Sequence, residues 1–220
     1  MRKLEPGKMP DRPPSTPNEW GIVIILSFFF GVLICLELFS DYTPAKLSLP
    51  FFLASWVILL VIHEAGHALM AILLGWRVSL ISIGTGKIRL RVTLLDIPVE
   101  IRTIPLSGFV RPQPTDLVAP RLKQFCIFAA GPGIELLLAA LLITAVGADN
   151  LLERSNNISL IAIQSFIVAT VFGSVINLIP FPIRTETGTS WSDGLGMILC
   201  WRLPESWFRD QISPINHRQA

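Results

Sequence analysis

The sequence predicts a mostly α, polytopic membrane protein of about four transmembrane helices with a small β-rich loop, cytoplasmic or re-entrant. Three observations carry that expectation. Four apolar runs approach or reach the roughly 20 residues that a helix needs to cross a bilayer. Apolar residues make up 51% of the 220 positions against 15% charged, a balance foreign to soluble domains. The one sizeable polar stretch between the runs alternates apolar and charged side chains with the period of a strand.

Residues 1–19 hold five prolines and four basic residues and almost nothing apolar, which predicts an extended cytoplasmic tail. The membrane-embedded core is expected over 20–201. Its first apolar run, Trp20 to Phe39, is longer than a signal-peptide core and has no small-residue cleavage site after it, so it reads as a crossing with Trp20 at the interface. The second runs from about Leu49 to Leu74, the third from about Gln124 to Val146, and the fourth from Ile158 to about Ile179, where Pro180 and Pro182 end it. In the polar stretch 78–120, Ile88, Leu90 and Val92 alternate with Arg89, Arg91 and Thr93, and Val99 to Ile104 alternates again. A small antiparallel sheet is the expected product, with Gly84 and Gly86 turning the chain before it and Pro105 to Val110 turning it after. At about 45 residues the stretch is short for an inserted domain of ordinary size. Residues 202–220 are amphiphilic and then polar, expected as a cytoplasmic tail at the surface with His217 solvated.

Basic residues divide sharply. The tail has four, the 75–123 loop eight and the region after Pro180 four; the two remaining connections hold only Lys46 and Arg154. The excess places both termini and the sheet-like loop in the cytoplasm. A net charge of +2 gives no argument for nucleic acid. Cys35, Cys126 and Cys200 are far apart and lack paired ligand spacing, so neither a disulfide framework nor cysteine-bound zinc is expected.

The chemistry is concentrated in the second run, at Val61 to Leu69. His63 and His67 stand four apart, which on a helix puts both imidazoles on one face, one turn apart, able to converge on one ion. Glu64 then lies beside the ion, placed to take a proton from its water. Ionisable groups in an apolar helix are costly and mark function. Catalytic zinc takes three protein ligands and leaves a position for water, so a third is required. Asp193, Glu186 and Glu135 are the candidates. Asp193-Gly194 heads a short apolar stretch and can turn the carboxylate back toward the second helix; Glu186 lies in a polar, turn-rich segment. Glu135 follows Ala130-Gly131-Pro132-Gly133-Ile134 within the third helix, where it either lines the cavity or pairs with a polar group on a neighbouring helix.

With these residues in place, the sequence resembles the intramembrane zinc metalloproteases of the site-2 protease family. The resemblance rests on His63-Glu64-Ala65-Gly66-His67-Ala68, on Ile83 to Gly86 and Pro105 to Val110, on Ala130-Gly131-Pro132, and on Asn177 to Pro182 with Ser192-Asp193-Gly194. It implies that His63, His67 and Asp193 bind Zn2+, that Glu64 is the general base, and that Asn177 holds the substrate backbone or the developing oxyanion. It further implies that the strand-rich loop dips into the membrane and offers an edge strand to an unwound substrate helix, the partner being a transmembrane protein within the lipid bilayer, in a bacterial cytoplasmic membrane. Two features depart from the family pattern: about ten polar residues, Ile183 to Ser192, precede the aspartate, and Glu135 stands where an asparagine is common. The regulatory domains of some relatives have no room here, so a bare catalytic core is expected. A non-catalytic relative that escorts membrane proteins is the main alternative, although such versions usually lose the glutamate or a ligand. A metal or ion transporter would need polar residues on several helices at matching depth, for which only Glu135 and Asn177 serve.

Overall fold

The architecture is that of a computed structural model, which describes residues 28–29, 31–32, 34–36, 39–40, 43–151, 153–185 and 188–212. The tail 1–19, most of the first apolar run, Glu186 and His217 lie outside the described residues. Among the described residues, three helices are long and apolar enough to cross a membrane.

A 3₁₀ turn at Pro44–Leu47 leads into α1 (Ser48–Leu73). Its interior positions recur every fourth residue, at Ser55, Leu59, His63, His67 and Ala71, while Leu53, Ile58, Leu69 and Leu73 face outward. Leu59 apart, the helix is therefore polar or small inside and apolar outside, the reverse of a helix folded in water. It ends at Gly75, whose φ of 79° suits glycine; Trp76 N–H donates to Ala71 O and Gly75 N–H to Ile72 O, both at 2.9 Å.

Two long antiparallel strands follow, β1 (Arg77–Leu94) and β2 (Ile97–Gln113), joined at Leu95 and Asp96, both with positive φ as a tight hairpin turn demands. The strands outrun the expected ones. Gly84 and Gly86, at φ 92° and 81°, bend β1 without ending it, and Pro105 to Val110 continues β2 where a turn was expected. Those glycines mark irregularities of register, a bulge's effect on a strand. Through the bend, Ile81, Ser82 and Ile83 pair with Val110, Phe109 and Gly108 and also with Val99, Glu100 and Ile101, which in turn pair with Val92, Arg91 and Leu90. Four segments thus lie side by side, with Glu100 in an inner one. Burial alone would raise the Glu100 carboxyl, but hydrogen bonds from Arg102 and Arg91 outweigh it and hold the group below the usual carboxylate range.

The chain returns as α2 (Pro120–Val146), with proline in its first turn and Gly147 at its end, and crosses again as α3 (Ile158–Leu178), capped by the Asn157 side chain on the Ser159 and Leu160 amides. The polar, turn-rich segment before Asp193 forms a hairpin of β3 (Pro182–Thr185) and β4 (Gly188–Trp191). Then come α4 (Asp193–Leu199), a 3₁₀ turn and α5 (Glu205–Ile212), which seats Phe208, fully buried, on Ala68, Ala71, Trp76, Val78 and Ile127. Where α1 meets α2 the contact is made by small residues, a Cβ on Gly66 falling 2.8 Å from the Ala130 carbonyl.

Candidate metal centre

His63 and His67 lie one turn apart on the inner face of α1, both nearly inaccessible, with their Nε2 atoms 3.0 Å from each other. Asp193, first residue of α4, completes the group: Oδ2 is 3.0 Å from His63 Nε2 and Oδ1 is 3.3 Å from His67 Nε2. Ligands on a tetrahedral zinc with bonds of about 2.0–2.1 Å stand roughly 3.3 Å apart, close to the 3.0 to 3.3 Å found here.

The outer ring nitrogens decide whether a cation fits. His67 Nδ1 is 2.6 Å from the backbone carbonyl of Ile127, which can only accept, so Nδ1 carries the proton. His63 Nδ1 faces Oε2 of Glu135 at 3.3 Å, off the ideal hydrogen-bond direction, and a proton there again avoids setting a lone pair against a carboxylate. In the neutral rings that metal binding requires, both Nε2 atoms then present lone pairs, and the contact between them is no hydrogen bond. Three acceptors meeting in a buried space with no donor among them are a cation's environment. The residues present fit zinc.

Glycine makes the room. A Cβ at Gly131 would strike His67 Nε2 and lie 2.7 Å from His63 Nε2. The neighbouring Pro132 has no N–H and removes one bond from the α2 ladder at the same turn. A Cβ at Gly108 would lie 2.7 Å from Glu64 Oε1, so strand β2 passes directly over the Glu64 carboxylate. Glu64 is buried and its Oε2 has no hydrogen-bond partner. It stands beside the histidines and outside the convergent set.

The ten-residue insertion leaves Asp193 in reach because the hairpin is pinched off at its base. Ser192 N–H donates to Phe181 O at 3.0 Å, and Ser192 Oγ donates to Ile179 O at 2.7 Å while accepting from the amides of Phe181 and Leu195. Gly194 sits against the Leu178 carbonyl, closer than any side chain would permit. The end of α3 and the start of α4 are thus adjacent as if nothing intervened. Asn177 is half-buried in the last turn of α3, one residue before that contact. Of the three candidate carboxylates, Asp193 joins the histidine nitrogens, Glu135 lies behind His63 where Ser174 Oγ donates to it at 2.9 Å, and Glu186 is outside the described residues. Ile127 O and Ser174 were not anticipated; a carbonyl has no sequence signal, and the only sign of Ser174 is a polar side chain within an apolar helix.

A family model described as peptidase family M50 matches residues 51–194. A Campylobacter jejuni protein named "Putative zinc metalloprotease Cj1068" is 31% identical over 121 residues, 49% of this chain and 33% of that protein, so the match spans about a third of the relative's length. The family match begins in the helix that carries both histidines and stops at the glycine after Asp193, taking in every donor of the cluster. The chain belongs to peptidase family M50.

Proposed function

We propose that this integral membrane protein is a zinc metalloendopeptidase that hydrolyses a transmembrane protein substrate within or just beside the bilayer. The observation that carries the reading is the buried set of three acceptor atoms on His63, His67 and Asp193, with Glu64 alongside, its one oxygen unpartnered. Zinc held by these three residues would supply a Lewis acid and a water acidic enough to react at neutral pH. Glu64 takes the proton of the attacking water on its free Oε2 and returns it to the leaving amide nitrogen. Gly108 lets β2 lie against Glu64, so a substrate strand added along 105–110 would bring its peptide bond to that carboxylate. Extension is required, because the turns of a regular helix shield each of its peptide bonds. Asn177, at the end of α3, would help hold the substrate backbone or the developing oxyanion. The 16 to 2 division of basic residues supports an orientation with the termini and the β1–β2 sheet in the cytoplasm.

Glu64→Gln tests this, since glutamine keeps the shape and loses the proton transfer. The variant is expected to fold, to retain close to one zinc per chain, and to cut a membrane substrate slower by about a hundredfold or more. Cleavage at the original rate would exclude hydrolysis by this site, and loss of metal in step with activity would make Glu64 a ligand.

A further inference from the structure

The geometry points to Glu135 as a positioning residue that fixes His63 from behind the metal site. This rests on the reading of His63, His67 and Asp193 as zinc ligands. Glu135 belongs to a membrane-spanning helix and is only 3% exposed, a place where a carboxylate persists when something cationic is near. Its described partners are the Ser174 hydroxyl, at 2.9 Å, and His63 Nδ1, at 3.3 Å, both on Oε2. Neither is a cation while His63 is the neutral ligand that metal binding requires. The metal site lies one imidazole away.

With Asp193 and the Glu64 carboxylate, a divalent ion between two neutral histidines is already balanced, so what Glu135 adds is position. The two histidines are held differently, since His67 gives its Nδ1 proton to the neutral carbonyl of Ile127 and only His63 faces a carboxylate. An acidic acceptor on Nδ1 makes the opposite nitrogen a stronger donor and holds the ring in the metal-binding tautomer. Ser174 anchors the carboxylate to α3, so α1, α2 and α3 each contribute one member of the chain Ser174, Glu135, His63.

The test uses the full chain in detergent, stripped of metal with a chelator and titrated with cobalt against a competitor of known affinity. The visible absorption of tetrahedral cobalt reports the site without reference to activity. Wild type is expected to take one cobalt per chain. Glu135→Gln keeps an acceptor for Ser174 and His63 and loses only the charge; its cobalt affinity should fall about ten- to a hundredfold, the usual cost of losing such a supporting group. Its metal-free form should unfold no earlier than metal-free wild type, because a buried charge has been removed. Ser174→Ala, which leaves the carboxylate in place, should cost less affinity than Glu135→Gln. Wild-type affinity in Glu135→Gln, or an affinity loss matched by earlier unfolding of the metal-free form, would overturn the role of Glu135 while leaving the metal site intact. Failure of wild type to bind cobalt would overturn the metal reading and this inference together.

Discussion

Gly131→Ala is the smallest change that should abolish the metal centre, and its size follows from distances. The added methyl would stand 2.7 Å from His63 Nε2 and 2.5 Å from His67 Cε1, against an ordinary contact of 3.4 Å or more. His63 must therefore retreat by about 0.7 Å and His67 by about 0.9 Å, whereas metal-ligand distances in real sites hold to about 0.2 Å. Retreat is obstructed, since Ile127 O lies behind His67 and Glu135 behind His63. Metal affinity should fall by more than the roughly hundredfold expected from losing a supporting residue, and proteolysis with it. The control is two residues away: a Cβ at Gly133 meets nothing within 4 Å, so Gly133→Ala should change stability by no more than about 1 kcal/mol and leave metal binding alone. Metal content of the two purified variants, measured beside their thermal unfolding, decides the matter. One ion per chain at wild-type affinity in Gly131→Ala would refute the placement of α2 over the histidines.

Other outcomes are equally checkable. Replacing Pro182–Trp191 by a two-residue Asn-Gly turn should keep metal affinity within about threefold, because Phe181 and Ser192 already close the hairpin's base; a large loss would make the hairpin part of the site. Asp193→Ala should strip the metal and Glu186→Ala should not, and the opposite pattern in metal analysis would reassign the third ligand. In a cysteine-free background, Ser48→Cys and Asn156→Cys should react with an impermeant thiol reagent outside intact cells and Thr115→Cys should not, with labelling of Thr115→Cys arguing against a cytoplasmic active site.

The histidine pair was legible because its signal is local: two imidazoles one helical turn apart depend on nothing but helix geometry, and a carboxylate beside them in an apolar run has few bland explanations. The spans of α1, α2 and α3 were legible for the same reason, each being a long apolar run closed by glycine or proline. What surrounds the pair was not, because it is set by approach between elements far apart in sequence. Glu135 falls behind His63 only through the packing of α2 on α1, and a serine such as Ser174 is hard to single out when Ser55, Ser165 and Thr170 merely bond the carbonyl one turn back along their own helices. Gly84 and Gly86 signal a break in regular structure, and sequence alone does not separate a turn from a bend within a continuing strand. The hairpin of β3 and β4 was hidden because Asp193 keeps its place through one side chain, Ser192, whose three partners lie from three residues after it to thirteen before.

The reversed pattern of α1 has a consequence for cohesion. Lipid tails are as comfortable against Ile58 and Leu69 as a neighbouring helix would be, so the apolar surface supplies little force to hold the spans together. Attachment between them falls to close backbone contact at Gly66 and to the buried polar groups of His63, Glu135, Ser174 and Asp193. The residues that would bind the ion are therefore also the fastenings of the bundle. A chelator should loosen the assembly as well as silence it.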